Sequence, residues 1–370
     1  MALDRITLAS FRNHAATRLG GTAKINLRFG ENGAGKTNVL EALSLLAPGR
    51  GLRRAALAEM AAEGAAGGPS SSLRTGFAVS ATLDRGDGGE PVVLGTGTAS
   101  DRPNRRQVQV NGADSSAVAL GEWLAIGWLT PAMDGLFTAS AGERRRYMDR
   151  LAVALDPLHA RHSTRYEAAL RERNRLLSGE DEPDPAWLAS VERHLAEHGA
   201  ALAAGRTALV ERLSEALVGL PEQPFARPAL AYAAGGPAAR EELAEELARQ
   251  RPRDRAAQRT LTGPHRDDLV VTMIGKDAPA ASCSTGEQKA MLIALTLAHA
   301  GLAARERPGV LLLDEVAAHL DPVRREALFE RLRDGAAQVW LTGTERAPFE
   351  AILGEAAVWR VSGGEVERVG

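Results

Sequence analysis

Apolar residues alternate near the head of the chain, at Ile6 and Leu8 and again at Ile25, Leu27 and Phe29. A period of two puts alternate side chains on one face of an extended backbone, so both stretches are predicted as strands. The second runs straight into Gly30. From Lys36 onward the pattern VLEALSLLAP is helical and stops at Pro48, whose ring cannot continue the helical ladder. Residues 61–72, AAEGAAGGPSSS, have the composition of a loop. Three runs between 73 and 112, GFAVSATL, PVVLGTG and RQVQVNG, read as a small antiparallel sheet. The last of them ends in Asn111-Gly112, a hairpin-type turn signal.

From about residue 140 the pattern becomes helical. ASAGERRRYMDRLAVALDP ends at Pro157, and LHARHSTRYEAALRERNRLLSG follows. After the acidic loop EDEPDP, a long helix is predicted over about 186–218. Its apolar residues Leu188, Val191, Leu195, Leu202, Leu209, Leu213 and Leu217 form one stripe. The pair reads as a helical hairpin, either a stubby coiled-coil-like arm or an ordinary helical subdomain. A proline- and glycine-rich stretch over 219–237 closes it, and 238–260 is predicted as charged helix. LTGPHRDDLVVTMI, CSTGEQKAMLIALTLAHAG, GVLLLDEV and QVWLTGTE then read as strand, turn and helix, strand, helix, strand. That order is the second half of an α/β domain. The predicted organisation is therefore an N-terminal half-domain over 1–139, a helical lobe over 140–237 and a C-terminal half-domain over 238–370.

Composition narrows the function classes. The chain has 370 residues, 44% hydrophobic, which suffices for a sizeable core. It shows neither an apolar run of membrane-spanning length nor a basic, then apolar, leader. The single cysteine, Cys283, rules out an intrachain disulfide. A soluble, cytoplasmic protein is expected. The net charge of −2 excludes a uniformly basic nucleic-acid binder but leaves room for a local patch. Aromatic content of 4% argues against a base-stacking platform for single strands. Lysine occurs only at 24, 36, 276 and 289, so Lys36 stands out within its glycine-rich loop.

Gly30-Glu31-Asn32-Gly33-Ala34-Gly35-Lys36-Thr37, followed by Asn38, matches G-x-x-x-x-G-K-[ST] between a strand and a helix. The glycines let backbone N–H groups face phosphate oxygens, and the helix points its positive end at the same charge. Lys36 is predicted to reach the β- and γ-phosphates of ATP and Thr37 to ligate Mg²⁺. Val310-Leu311-Leu312-Leu313-Asp314-Glu315 reads as a buried parallel strand. Asp314 at its end is placed to hold the Mg²⁺ shell and Glu315 to act as base toward a hydrolytic water. Lys36 and Asp314 are 278 positions apart (314 minus 36), more than a compact P-loop kinase needs, so the helical hairpin is read as an insertion.

Ser284-Thr285-Gly286-Glu287-Gln288 precedes an apolar helix about 30 residues before Asp314. Alone these are ordinary helix-capping residues. In this position they resemble the signature motif of ABC-type ATPases, and Ala318-His319-Leu320-Asp321 resembles the D-loop. LASFRNHAATRL, GENGAGKTN, LTPAMDGLFTASAGERRRYMDR, LTGPHRDDL, STGEQKA and LLLDEV occur in one order along nearly the whole chain. Together they resemble the RecF family of bacterial recombination-mediator ATPases, relatives of the SMC and Rad50 heads. The resemblance implies an α/β, ABC-type P-loop ATPase head (mixed sheet plus an antiparallel β part) with an inserted helical arm domain. It implies that Ser284, Gly286, Glu287 and Asp321 meet ATP held by the opposite subunit of a homodimer, and that dimerisation on duplex or gapped DNA is reset by slow hydrolysis. It further implies work with RecR and RecO in RecA loading, gap repair and SOS induction. By analogy with Rad50 heads, Arg12 is a further ATP contact.

The chain departs from the ABC pattern in two places. No histidine follows the strand Gln338-Val339-Trp340-Leu341-Thr342-Gly343-Thr344-Glu345, and the segment around Pro131–Asp134 stands where a Q-loop glutamine would be. Weak turnover is therefore predicted. For DNA, residues 142–175 hold nine arginines against five acids. Arg144, Arg145, Arg146 and Arg150 are the candidate phosphate contacts, against the plainer reading of a solvated face with i,i+4 pairs. Two other classes share the P-loop. A transporter's energy-coupling subunit normally carries the missing glutamine and histidine, and a structural SMC-like tether would need a longer coiled coil.

Overall fold

The computed structural model describes residues 2–62, 76–84, 89–221 and 223–370; most of the loop predicted over 61–72 lies outside them. By its internal contacts the chain divides into two units, Met1–Met133 with Thr296–Gly370, and Asp134–Leu295. The first unit opens with β1 (Leu3–Phe11), β2 (His14–Leu19), β3 (Ile25–Phe29), α1 (Lys36–Ser44) and the short α2 (Leu57–Met60). It continues through β4 (Ala78–Leu83), β5 (Val92–Ala99), β6 (Arg102–Val110), β7 (Ala113–Asp114), α3 (Ala117–Trp123) and β8 (Ala125–Leu129). The second unit holds α4 (Ala141–Leu155), α5 (Leu158–Leu177), α6 (Pro185–Val218), β9 (Pro228–Ala233), α7 (Arg240–Arg249), α8 (Arg251–Ala257), β10 (Asp268–Met273) and β11 (Ala278–Pro279). The helix α9 (Thr285–Glu306) carries the chain back to the first unit, which ends with β12 (Gly309–Leu313), α10 (Pro322–Asp334), β13 (Gln338–Gly343), β14 (Ala356–Ser362) and β15 (Glu365–Arg368).

Two six-stranded sheets build the first unit. One is antiparallel throughout, in the order β2-β1-β4-β5-β6-β7. The strands predicted over 73–112 thus join the N-terminal ones in a single sheet. The other has the order β15-β14-β3-β13-β12-β8 and is parallel except for the β14–β15 edge pair. Every residue of β12 and β13 is buried, as expected of strands covered on both faces. Leu40 and Leu43 of α1, Ile6 and Leu8 of β1, Leu312 of β12 and Trp340 of β13 belong to one apolar core. That core seats the loop between β3 and α1.

The second unit is mainly helical, and all seven residues of the predicted α6 stripe are buried. Asp184 caps α6 by accepting from Ala186 N at 2.8 Å, and Pro185 takes the first turn, where a missing N–H is harmless. The predicted hairpin forms: Leu176 and Leu177 of α5 cluster with Leu188 and Val191 of α6. Two expectations change. The charged helix over 238–260 is split into α7 and α8 with Pro252 in the first turn of α8, because proline has no N–H to offer the preceding turn. The strand β10 pairs with β9 and β11 in a separate antiparallel sheet and takes no part in the parallel one; an apolar run does not specify its partner. Among the described residues no helix is long and apolar enough to cross a membrane.

LTGPHRDDL, which reads only as a charged turn, is a structural knot. Asp267 accepts from Arg206 (2.6 Å), from Tyr232 (2.5 Å) and from Gly235 N (2.7 Å). Arg206 also forks onto Asp149 at 2.8 and 2.9 Å, while His265 bridges Tyr166 (2.8 Å) and Thr260 O (2.9 Å). A second knot centres on Arg173, fully buried on α5. It donates to Glu192 (3.1 Å), Asp254 (2.6 Å), Thr260 (2.8 Å) and Leu247 O (2.8 Å), joining α5, α6, α7 and α8. Arg173→Ala leaves buried Asp254 without its cation and Glu192 with Arg251 alone, and is expected to destabilise the fold by about 3–5 kcal/mol. Urea denaturation measures this, and a loss below about 1 kcal/mol, the scale of an exposed pair, would show that the knot is not structural.

Candidate nucleotide site

The loop between β3 and α1 is shaped by what it touches. Gly35, the left-handed N-cap of α1 at φ 111°, has no room for a side chain. A Cβ there would lie 2.7 Å from Asn13 and 2.9 Å from Nε2 of His14. At Gly30 a Cβ would meet the Val361 carbonyl at 2.1 Å. Glu31, Asn32 and Gly33 form the exposed crown of the loop, while Ala34 and Lys36 are buried. Lys36 Nζ donates to the carbonyls of Gly30 (2.5 Å) and Glu31 (3.1 Å) and lies 4.0 Å from Glu315. Burial holds its pKa below the ordinary lysine value, against the opposing pull of Glu315 and Asp314.

The acidic strand delivers its end to the same place. Thr37 Oγ1 donates to Asp314 Oδ1 at 2.9 Å, and the hydroxyl of Thr342 donates to the same oxygen at 2.7 Å. Thr342 Oγ1 in turn accepts from Glu315 N at 3.0 Å. Glu315 sits in the left-handed region at φ 53°, a conformation that costs a non-glycine residue about 1–3 kcal/mol and is found where function requires it. The Asp314 amide donates to Leu129 O at 2.9 Å, so β8 and the turn beginning at Pro131 emerge beside the acidic pair. Thr342 thus ties the end of β13 to both members of the acidic pair.

Around this centre lies a polar collar that the motif alone does not reveal. Asn13 donates to Ala34 O (3.0 Å) and accepts from Asn38 (2.7 Å). His14 is fully buried between Gly35 O (3.1 Å) and Thr17 (3.0 Å), and burial lowers its pKa, so it is neutral near pH 7. Arg12 is placed against α1: its guanidinium forks onto buried Glu41 at 2.9 and 2.8 Å and donates to Glu59 O at 2.9 Å. Arg53 adds a second cation to Glu41 at 2.8 Å. In β3, which leads into the loop, buried Arg28 stacks on Trp340 at 4.8 Å and has no hydrogen-bond partner among the described residues. Burial pushes its pKa down to about 9, with Asp314 pulling the other way.

The remaining predicted residues fall elsewhere. Ser284 and Glu287 form a reciprocal cap at the start of α9, at 3.0 Å from Ser284 N to Glu287 and 3.4 Å from Glu287 N to Ser284. Lys276 at 2.5 Å and the Ser284 bonds pull the half-buried Glu287 carboxyl down to about 2. Asp321 caps α10 by accepting from Arg324 N at 3.0 Å. Of the candidate DNA arginines, Arg144 forks onto Asp268 at 2.8 and 2.6 Å and Arg145 donates to Asp267 O at 2.7 Å. Arg146 is exposed beside Glu143, and Arg150 lies over the Tyr147 ring at 5.1 Å. Arg173 is buried, so the sequence count overstates the patch.

Sequence reasoning missed Thr342, Glu41, Asn13 and His14. The available signals were a hydroxyl closing an apolar strand, for Thr342, and the FRNH run, for Asn13 and His14. The loop geometry yields a paired test. Gly33→Ala and Gly35→Ala both place alanine at positive φ, but only at Gly35 does the new carbon meet neighbours. Gly35→Ala is expected to weaken ATP binding at least tenfold more than Gly33→Ala in a fluorescent-nucleotide titration; equal losses would rule out the Asn13–His14 support.

Known proteins can be set beside this geometry. The family described as RecF/RecN/SMC N terminal domain matches residues 2–361. The DNA replication and repair protein RecF of Mesorhizobium japonicum is 45% identical over 379 residues, covering 98% of this chain and 97% of that one. The solved structure of the recombination mediator protein RecF-ATPrS in the RecFOR pathway superposes with a TM-score of 0.85 at 23% identity, covering 100% of this chain and 98% of the other. An Smc head domain from Pyrococcus furiosus, with an extended coiled coil and bound to the C-terminal domain of ScpA, reaches 0.54 at 16% identity, covering 100% and 96%. The structural likenesses establish the α/β head expected from the motifs. Sequence identity sustained along both chains goes further: this chain belongs to the RecF family.

Proposed function

We propose that this chain is an ATP-hydrolysing recombination mediator, which dimerises on duplex or gapped DNA when ATP is bound and resets by slow hydrolysis. The observation that carries the reading is the junction of Thr37, Asp314, Thr342 and Glu315 beside Lys36, within hydrogen-bonding and ion-pair distances. Lys36 and the loop amides bind the phosphates. Glu315 orients the attacking water and accepts its proton. Thr37 and Asp314 are an all-oxygen pair that would hold Mg²⁺, and the ion would supply positive charge against that of the phosphates. Thr342 fixes Asp314 and the Glu315 amide, and takes up the positioning that a histidine gives other ABC heads.

Ser284 and Gly286 stand exposed at the start of α9, which suits contact with a nucleotide held by a second copy; Glu287 and Asp321 belong to the same face of the proposal. For DNA, exposed Arg146, Arg161 and Arg165 are suited to phosphates, whereas Arg144 is committed to the Asp268 carboxylate and Arg145 to the Asp267 backbone carbonyl. Family membership favours this reading over a transporter subunit or a structural tether. It also supports partnership with RecR and RecO and a role in RecA loading and SOS induction.

Lys36→Met is expected to weaken ATP binding at least tenfold. Glu315→Gln should keep binding while phosphate release falls about 10²–10⁴-fold, and its ATP-loaded dimer should outlast the wild type's in size-exclusion chromatography with light scattering. If Glu315→Gln hydrolyses ATP normally, the base is another residue. Ser284→Arg should bind ATP as a monomer yet fail to dimerise, while Ser284→Ala, which loses the hydroxyl but adds no bulk, should still dimerise, more weakly than wild type. An ATP-dependent Ser284→Arg dimer would sink the opposite-subunit role. Duplex anisotropy at fixed salt, with and without Mg-ATP, tests the DNA step; no ATP-dependent gain would count against it.

A further inference from the structure

The helical unit carries a side-chain cluster for which the nucleotide reading has no use. On α6, His194, Glu197 and His198 recur at i, i+3 and i+4, which puts them on one face of the helix. One ligand atom from each lies within 4.8 Å of the other two. His198 is buried at 4% exposure, while His194 and Glu197 are exposed. From α5, His162 brings its Nδ1 to 3.3 Å from Nδ1 of His198. The rings of His162 and His198 stand 5.4 Å apart, and those of His194 and His198 stack at 6.4 Å.

The α6 triad brings two imidazoles and a carboxylate together, and His162 of α5 reaches its buried member, His198. Two nitrogens bound to one zinc at about 2.0–2.1 Å in tetrahedral geometry are separated by about 3.3 Å, the spacing found between His162 and His198. Imidazole-rich donor sets suit Zn²⁺, Co²⁺ and Ni²⁺ over Mg²⁺ and Ca²⁺. A plain solvated helix face would account for exposed His194 and Glu197. A hydrogen bond between the two rings would account for His162 and His198, but neither reading explains why His194, Glu197 and His198 bring their donor atoms to one place. We propose that His162, His194, Glu197 and His198 form a binding site for a zinc-class divalent metal that clasps α5 to α6. Because folded protein alone offers this site, metal should stabilise the fold by mass action.

The test uses tag-free, full-length protein stripped with chelator, and Co²⁺ and Zn²⁺ as probes. Wild type is expected to take up one equivalent of Co²⁺ with a visible d–d band, displaced by Zn²⁺ and unaffected by millimolar Mg²⁺. Thermal unfolding should shift upward by several degrees in micromolar Zn²⁺. His194→Ala alters an exposed side chain, and His162→Ala removes the α5 contribution; each should weaken uptake at least tenfold and abolish the thermal shift, with circular dichroism confirming that both remain folded. Uptake by wild type no greater than by the His162→Ala/His194→Ala double variant would overturn the site, since five histidines remain elsewhere in the chain. Uptake lost in His194→Ala but unchanged in His162→Ala would overturn the clasp between helices.

Discussion

The hydrogen bond from Thr37 to Asp314 closes a separation of 277 residues. It can exist only if β3, β13 and β12 lie side by side with their ends level. The register provides this: Phe29 stands opposite Gly343, and Leu341 opposite Leu313. Three adjacent strands therefore end together, one leading into the phosphate loop, one offering Thr342 and one offering the acidic pair. Ligands of open α/β sheets gather outside the carboxyl ends of the strands, and this is that edge. A slip by one residue would send Thr342 and Asp314 to opposite faces.

The antiparallel sheet of the same unit does more than add strands. Its first strand leads into Arg12 and Asn13 of the turn and His14 at the head of β2, which brace the loop and α1 from the side. Its beginning is stitched to β13 by the buried Gln338 amide, which donates to Leu3 O at 2.9 Å and accepts from Leu3 N at 3.0 Å. Buried polar groups must find partners, so Leu3 and Gln338, 335 positions apart, are tied by that requirement. The loop's exposed crown is thus carried on a base in which few atoms are free to move.

Buried arginine organises the helical unit. Arg173 and Arg206 are each enclosed by carboxylates and carbonyls drawn from several elements. Arginine suits such places because its planar fork is always charged and satisfies several acceptors at once. This is also why a count of arginines misjudges a nucleic-acid surface. In the run from 142 to 175 some guanidiniums are structural, and others, such as Arg161 and Arg165, face solvent. The charge sum is the same whether an arginine points inward or outward.

The phosphate loop, the acidic strand, the cap before α9, the helical hairpin and the α6 stripe were all legible in the chain. Each is a local pattern whose meaning follows from backbone geometry and side-chain period over a few residues. The partners of β10, the break at Pro252, the knot around Asp267, the collar of Asn13, His14 and Glu41, and the meeting of His162 with α6 were not. The break at Pro252 is a local proline effect; the others rest mostly on contacts between residues from 21 to 122 positions apart, where a histidine, an acid or an arginine carries no mark of what it will face. The sequence alone determined which chemical groups the protein has and which local elements hold them. Tertiary structure alone decided which of those groups meet, because burial and register, set by the whole chain, choose each polar side chain's partner.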